Sequence, residues 1–481
     1  MQQTSELIDE LSQLFGEDRV VHDDASLRQP EAVLLRQFER AFDYTWEHLP
    51  ICILKVHTTQ EVALALKYCN DNGINVITRT GASSSEDQLL VINDNTIVLD
   101  CIGLNEVFSI DAENMLATVG CGVKLEDLER LANEKGLTTG HWPQSQPLAC
   151  MGGLVATRSI GQFSTYYGGI EDMLCGLEAV MPDGEIVRIR NVPRAASGPD
   201  LRHIFMGSEG TIGVITEVTV KLFTYYPDDW WKGAYVVPNF EAGIDAIREI
   251  IVKGFKPAIV RLYDKADIDA NYPGVSVPEG HAFMFFVAEG PPSITRAIGE
   301  AIDAIALARG ATVAPLDGVD LWLEERNKVC YVLGTPAMLD HYRATEIFYT
   351  TCEVSASWSD IKRIYKNVTS VLPKKIDNLI LVGGHVSHSY QTGTNIYFVY
   401  KLRAGDPRKM NADDLKVKDA IATEVLKEPS GGIVHHHGVG KMRVSRIKDE
   451  LGSSYGILSR LKHEFDPNGI MNQGTLIPQE K

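Results

Sequence analysis

The chain has 481 residues, 44% apolar and 23% charged, with 46 Lys and Arg against 64 Asp and Glu for a net charge of −18. That is about three domains' worth of chain, and its composition excludes long disorder, collagen-like repeats and coiled-coil rods. A negative field repels phosphate backbones and anionic lipid, so nucleic acid and membrane surfaces are poor candidate partners, and an anionic substrate needs a local basic cluster.

In Met1–Val20, Leu7, Ile8, Leu11, Leu14 and Phe15 fall at helical spacing, which predicts an amphipathic surface helix rather than a signal peptide. No apolar run approaches the roughly 18 residues of a membrane span, so no integral membrane segment is expected and the cytoplasm is the default location. A strand at Ile51–Val56 leads into a capping box, Thr58 with Glu61, and a helix carrying Val62, Leu66 and Cys69 that stops at Gly73. The strand Ile74–Ile77, the loop Thr78–Asp87 and the strand Ile97–Asp100 complete a small α/β unit. Strands are expected to dominate 107–222, with Pro182-Asp183-Gly184 turning Leu174–Met181 into Ile186–Arg190. Tyr225–Trp231, rich in Pro and charge, marks a domain boundary. Beyond it, helices at Ala242–Lys253, Ile294–Arg309 and Trp358–Val371 alternate with strands at Ala282–Val287 and Ile396–Leu402. These predict an α+β domain with a mostly antiparallel sheet. The last forty residues are expected to return to the first domain. The eight cysteines are scattered without a Cys-x-x-Cys pair, which argues against iron–sulfur or thiolate zinc sites and for buried thiols in a reducing compartment.

Three stretches are rich in small residues. Gly81-Ala-Ser-Ser-Ser85 offers amides and hydroxyls of the kind a phosphate takes. A second runs from Pro143-Gln-Ser145 through Met151-Gly-Gly153 to Gly161, and the third is Gly207-Ser-Glu-Gly-Thr-Ile-Gly213. Each alone reads as a turn or strand entry. Together they predict an extended dinucleotide lying between two subdomains.

The sharpest pattern is His435-His436-His437-Gly-Val-Gly-Lys441. Such a run is a metal site, an acid/base cluster or an exposed tract. If Gly432–His437 is a strand, His435 and His437 face one side and His436 the other. Two more histidines stand in Gly384-His385-Val-Ser-His388, and in Asn395–Tyr400 alternation sets Tyr397 opposite Phe398 and Tyr400. Arg343 and Arg261 taken singly default to surface or ion-pair roles.

Met151-Gly-Gly-Leu-Val-Ala-Thr-Arg-Ser159, Tyr167-Gly-Gly-Ile-Glu-Asp172, Met206-Gly-Ser-Glu-Gly-Thr-Ile-Gly213, Arg261-Leu-Tyr-Asp264 and His435–Arg443, in this order, resemble the vanillyl-alcohol oxidase and p-cresol methylhydroxylase family of flavoenzymes. The nearest likeness is to alkyl-dihydroxyacetone-phosphate synthase and bacterial FAD-linked oxidoreductases. The resemblance implies an α+β fold: a p-cresol-methylhydroxylase-type FAD domain of two subdomains, plus an α/β cap carrying the substrate site. The expected layout is an N-terminal helical segment at 1–45, the FAD domain at 46–225, the cap at 226–440, and a segment at 441–481 that returns to the FAD domain. By resemblance the FAD pyrophosphate contacts Gly81, Ser83, Ser84, Ser145, Gly152, Gly153 and Thr157, while Ser159, Gly161, Glu209, Gly210 and Ile215 line the rest. Tyr397 matches the synthase's catalytic tyrosine, Arg343 its phosphate-binding arginine, and His435, His436 and His437 its histidine triplet. The family's triple-glycine loop keeps one glycine here, and no His or Cys stands where relatives tether flavin, so the FAD is expected to be non-covalent. His385, His388 and His436 form a candidate divalent-metal set after the D-2-hydroxyacid dehydrogenase pattern, whose second histidine and glutamate are missing here.

Two functions follow from the resemblance. One is an FAD-dependent oxidoreductase for a small hydroxylated anion (a 2-hydroxy acid or phosphorylated polyol), with His435 or His437 as base, Tyr397 as hydrogen-bond donor to the substrate oxygen, Arg343 as clamp, hydride passing to the flavin, and a separate electron acceptor. The other is a synthase-like transferase using FAD without net redox. A homodimer is one assembly the reading allows.

Overall fold

The computed structural model describes residues 2–28, 33–43, 47–272 and 274–479. Residues 1, 29–32, 44 and 45 of the expected N-terminal segment, and 480–481 at the other end, lie outside them. Where the cue is local, the fold follows it. The helix Gln2–Phe15 buries Leu11 and leaves Leu14 exposed. Thr58 caps the helix Thr59–Asn72 by accepting from the Glu61 amide at 3.1 Å, and Gly73 ends it in the left-handed region at φ 65°. The Glu61 carboxylate accepts from the His57 amide at 2.6 Å rather than from Thr58, so the box closes one residue early.

Strands Val20–Val21, Ile53–Lys55, Thr96–Asp100 and Asn75–Arg79 form a sheet in that spatial order, parallel except for its first pair. Met471 bridges to Val76 at its edge: the Val76 amide donates to the Ile470 carbonyl at 2.7 Å and the Asn472 amide to the Val76 carbonyl at 2.9 Å. A five-stranded antiparallel sheet follows in the order Val107–Asp111, Leu116–Gly120, Val214–Lys221, Leu174–Val180, Ile186–Ile189, and Gly184 turns the last pair at φ 88°. This region is more helical than expected. Leu125–Asn133 is a helix because Leu125, Leu128 and Ala132 form a buried stripe behind acidic residues in its first turn, and Met151–Ala156 adds a short one.

The third sheet is antiparallel throughout. Its order is Thr312–Val313, Trp230–Val237, Ala282–Glu289, Ile259–Asp264, Leu379–Val386, Gly393–Arg403, Ile347–Ser357. The helices Phe240–Val252, Pro292–Ala308, Ile361–Lys375 and Met410–Val425 cover one face, where Phe398 and Tyr400 are fully buried. Period-two alternation sends Tyr397 to the other face. Across four strands Glu353 opposes Tyr397, Tyr397 opposes His385, and His385 opposes Tyr263, which places one row of functional side chains on a single face. One apolar cluster runs from Val218 of the five-stranded sheet through Phe163 and Tyr167 to Phe283 and Phe285 of the seven-stranded one, fixing that face against the first half of the chain. Among the described residues no helix is long and apolar enough to cross a membrane. The fold is mixed α and β with mostly antiparallel sheets.

Candidate active site

The three small-residue stretches converge. Gly81 packs flush on the second stretch, since a Cβ there would lie 2.1 Å from the Leu148 carbonyl oxygen. An added Cβ on Gly210 would lie 2.8 Å from Thr78 Oγ1, and the Glu209 amide donates to the Ala156 carbonyl at 2.8 Å. The result is one trough with half-buried Thr78, Thr80, Ser83, Ser145 and Thr157 along it. A Cβ on Gly153 would meet only Thr80 Oγ1, at 3.3 Å, which leaves room for a ligand to approach the backbone. Ala82, Arg158 and Glu209 hold φ of 48°, 53° and 48°, left-handed values that cost non-glycine residues about 1–3 kcal/mol each and gather at functional loops. Between trough and cap, His141 Nδ1, Trp142 Nε1, Arg261 Nε and Asn327 Oδ1 are buried without a hydrogen-bond partner among the described residues. The trough therefore has the open backbone at Gly153 and the hydroxyls that an extended dinucleotide needs.

Other expected contact positions also lie close against protein atoms. An added Cβ on Gly152 would lie 2.5 Å from Cys121 Cβ, and one on Gly161 would lie 2.6 Å from the Trp142 amide nitrogen. Ser159 Oγ is buried 3.3 Å from His141 Nε2. Ile215 is a core residue, 6% exposed, and the Glu209 carboxylate accepts from the Val439 and Gly440 amides at 2.8 and 2.9 Å, latching the chain just beyond the histidines.

Opposite the trough stands the cap-sheet row. His385 stacks on Tyr397 with ring centroids 4.7 Å apart, and its Nδ1 lies 2.6 Å from Oδ2 of the fully buried Asp267. Gly432–His437 is not a strand. The His435, His436 and His437 amides all donate to Glu353 Oε1, at 3.2, 3.1 and 2.9 Å. Successive strand amides point in alternating directions. Convergence on one carboxylate curls the loop instead and fans the three rings out. Glu353 Oε2 accepts from Arg443 Nη2 at 2.5 Å and lies 2.9 Å from His437 Nδ1 without hydrogen-bond alignment, and Arg443 also reaches Glu86 Oε1 at 2.8 Å. Burial pushes the Glu353 carboxyl up, but Arg443 and His437 outweigh it and hold it well below the usual carboxylate range.

The rings form a chain of contacts. His436 Nε2 lies 2.5 Å from Tyr397 Oη, His436 Nδ1 lies 2.7 Å from His435 Nδ1, and His435 Nε2 lies 2.7 Å from Tyr390 Oη. His388 stacks on His435 at 5.2 Å and holds Ser164 Oγ at 2.8 Å from its Nδ1. Burial pushes His435 down to about 4 and His436 and His388 well below the ordinary imidazole value, so these rings are neutral at neutral pH.

Arg343 is not brought to this cluster. Its Nε donates to the Ala41 carbonyl at 2.6 Å and its Nη1 pairs with Asp340 at 2.9 Å, a surface role set by its helix Pro336–Thr345. Arg261 is there instead. It is 4% exposed, donates Nη1 to Ser387 Oγ at 2.5 Å, lies over Trp322 at 4.6 Å, and has no carboxylate partner among the described residues. Half-buried Arg326 stacks on Trp142 at 4.9 Å and is pushed down to about 10 by burial and by Arg261. Glu353, Glu86, Arg443, Asp267 and Tyr390 were not found from the sequence. The available signal was a charge inside an apolar strand, Cys352-Glu353-Val354 and Ile259-Val260-Arg261-Leu262.

The expected metal trio does not assemble, because Asp267 holds His385. The rings that do approach are His388, His435 and His436, with one nitrogen each within 4.8 Å of the others. Both ring nitrogens of His435 and His436 are already committed to hydrogen bonds, which an ion would have to break.

Residues 50–190 match the family described as an FAD binding domain, and 233–476 match the C-terminal domain of FAD linked oxidases. The chain is 42% identical over 487 residues to the uncharacterized FAD-linked oxidoreductase YgcU of Escherichia coli (strain K12), covering 99% of both. It is 31% identical over 411 residues to alkyldihydroxyacetonephosphate synthase of Caenorhabditis elegans, 79% of this chain and 68% of that one. With D-lactate dehydrogenase (cytochrome) 1, mitochondrial, of Saccharomyces cerevisiae the figures are 28% over 441 residues, 89% and 72%. Among solved structures, an alkyldihydroxyacetonephosphate synthase superposes with TM-score 0.78 at 21% identity, covering 99% of this chain and 85% of that one. A p-cresol methylhydroxylase with substrate bound gives 0.76 at 16%, covering 99% and 98%, so the fold is shared.

Proposed function

The chain belongs to the family of FAD-linked oxidoreductases, and on that premise we propose that it oxidises a small hydroxylated anion, a 2-hydroxy acid or a phosphorylated polyol. In this reading Arg261 and Arg326 clamp the anion, and the Tyr397–His436 pair accepts the hydroxyl proton. The observation that carries it is the buried Arg261 guanidinium, which shares a face with His385 and Tyr397 yet has no carboxylate partner among the described residues. A buried cation without a counter-charge costs several kcal/mol, and an anionic substrate removes that cost. A surface cleft of about 560 Å³, lined by Trp142 and Gln146 with Glu126, Glu129 and Glu134, reaches Arg326.

Bound FAD supplies the hydride acceptor. The trough at 78–87, 143–161 and 207–213 holds it without a covalent tether, with residues 46–225 as its domain and 226–440 as the cap. Neutral His436 takes the proton through the Tyr397 hydroxyl, which burial keeps protonated at rest. Stacking by His385, itself held by Asp267, aims the Tyr397 ring. A separate electron acceptor would be needed to complete the cycle.

The same Tyr397–His436 contact and intact triplet favour a second reading, a synthase-like transferase, whose expected clamp Arg343 is spent elsewhere. Anaerobic mixing with glycolate, D-lactate and glycerol 3-phosphate decides between them. Flavin bleaching by any of these supports oxidation. No bleaching, with fatty alcohol incorporated from acyl-dihydroxyacetone phosphate, replaces it with the transferase.

A further inference from the structure

Tyr390 follows the strand Leu379–Val386 and stands at the outer end of the histidine cluster, 36% exposed, with its hydroxyl 2.7 Å from His435 Nε2. At the inner end Tyr397 is half-buried, stacked on His385. Tyr397, His436, His435 and Tyr390 are joined by three successive contacts of 2.5, 2.7 and 2.7 Å. We infer that these four side chains form a proton relay with Tyr390 as its outlet to solvent. The inference rests on the oxidoreductase reading above.

Counting protons restricts the relay to two states. A neutral imidazole has one N–H and one bare nitrogen, and the Nδ1···Nδ1 contact between His436 and His435 needs one proton between them. If His436 supplies it, its Nε2 is bare and accepts from Tyr397, while His435 carries its proton on Nε2 and donates to Tyr390. If His435 supplies it, every link reverses. Moving one proton across each link converts the outward state into the inward one. The substrate O–H proton enters at Tyr397 and the Tyr390 proton leaves to water. The substrate C–H pair leaves as hydride to the family's bound flavin and a C=O bond forms, so one proton emerges per oxidation. Neither ring is cationic in either state. Glu353 keeps the geometry by fixing the three backbone amides.

Two measurements on the FAD-loaded protein test the relay. The first is solid-state ¹⁵N NMR of histidine-labelled enzyme at pH 7.5, with signals assigned through His435→Gln and His436→Gln. The expected result is two neutral rings in opposite tautomers. The same tautomer in both, or an imidazolium at either, overturns the relay whatever the substrate. The second is flavin bleaching by D-lactate or glycerol 3-phosphate in H2O and D2O mixtures. Tyr390→Phe should lower kcat by roughly 10²-fold, the lower end of what an aligned acid–base group contributes, with KM unchanged. The proton inventory, bowed in the native enzyme by several protons in flight, should become linear. A Tyr390→Phe enzyme with native kcat and a bowed inventory overturns the outlet. If neither probe bleaches the native enzyme, the oxidoreductase reading fails by itself and the tautomers decide the relay.

Discussion

Glu353→Gln perturbs the site at its anchor. The amide oxygen can still accept the three histidine amides, but its NH2 group replaces Oε2, which faces Arg443 Nη2 at 2.5 Å and His437 Nδ1 at 2.9 Å. Donors then face donors in a place with no solvent, and Arg443 keeps only Glu86 as counter-charge. Breaking a buried ion pair from one side costs about 3–5 kcal/mol, and the surviving Glu86 contact sets the expectation at the lower end, about 3 kcal/mol. For a cooperative unit of roughly 250 residues, whose unfolding entropy is about 0.5 kcal/mol/K, this is a fall in Tm of about 6 °C. The sign with pH follows from the depressed Glu353 carboxyl. Its contribution is fully present above the ordinary glutamate value of about 4.3 and is lost as pH falls through the lower folded value. Native and variant stabilities should thus differ at pH 7.5 and converge in acid. Tryptophan fluorescence during urea unfolding at several pH values measures this, and the same preparation should reduce its flavin at least about tenfold more slowly, since a misplaced catalytic group loses up to about 10²-fold. Native stability at pH 7.5 would refute the anchoring role.

Three further outcomes can be checked independently. Arg261→Met should raise KM for an anionic probe by about 10²-fold, the cost of one lost charge-assisted contact, whereas Arg343→Ala should leave KM unchanged; the reverse pattern restores Arg343 as the clamp. Gly153→Ala should fold with native Tm, because its methyl meets only Thr80 Oγ1 at 3.3 Å, yet retain less FAD after gel filtration; full retention removes the pyrophosphate from this spot. Glu289, buried and bonded to the Tyr167 hydroxyl, is pushed up to about 7 by burial. The folded state then keeps a proton the unfolded chain has released, so this group lowers stability as pH rises from about 4 to 7. Glu289→Gln should flatten that part of the urea-midpoint profile, and an unchanged slope contradicts the assignment.

What the chain specifies locally was readable from residue order. The Thr58 cap, the Gly73 stop and the turn at Gly184 depend on residues within a few positions of one another. Tyr397 was placed opposite Phe398 and Tyr400 by the two-residue period of a strand, which needs no knowledge of the partner strands. The helix Leu125–Asn133 carried its own signal in Leu125, Leu128 and Ala132, overshadowed by the strands on either side. Family motifs located the trough, because a backbone that must approach a ligand constrains residue type directly.

Only the tertiary structure decided which side chains serve the site. Glu353 meets the histidine amides 82 to 84 positions later, and Arg443 reaches Glu86 across 357. Nothing in either segment names its partner. That choice is why Gly432–His437 is a curled loop rather than a strand: one buried carboxylate satisfies three amides and a guanidinium together, and propensity is outweighed. It also separates Arg261 from Arg343. As sequence both are arginines near apolar residues, but one faces inward on a central strand without a counter-charge, and the other lies on a helix with Asp340 one turn away. Burial and the presence or absence of a counter-ion set what a charge does, and both are properties of the packed molecule.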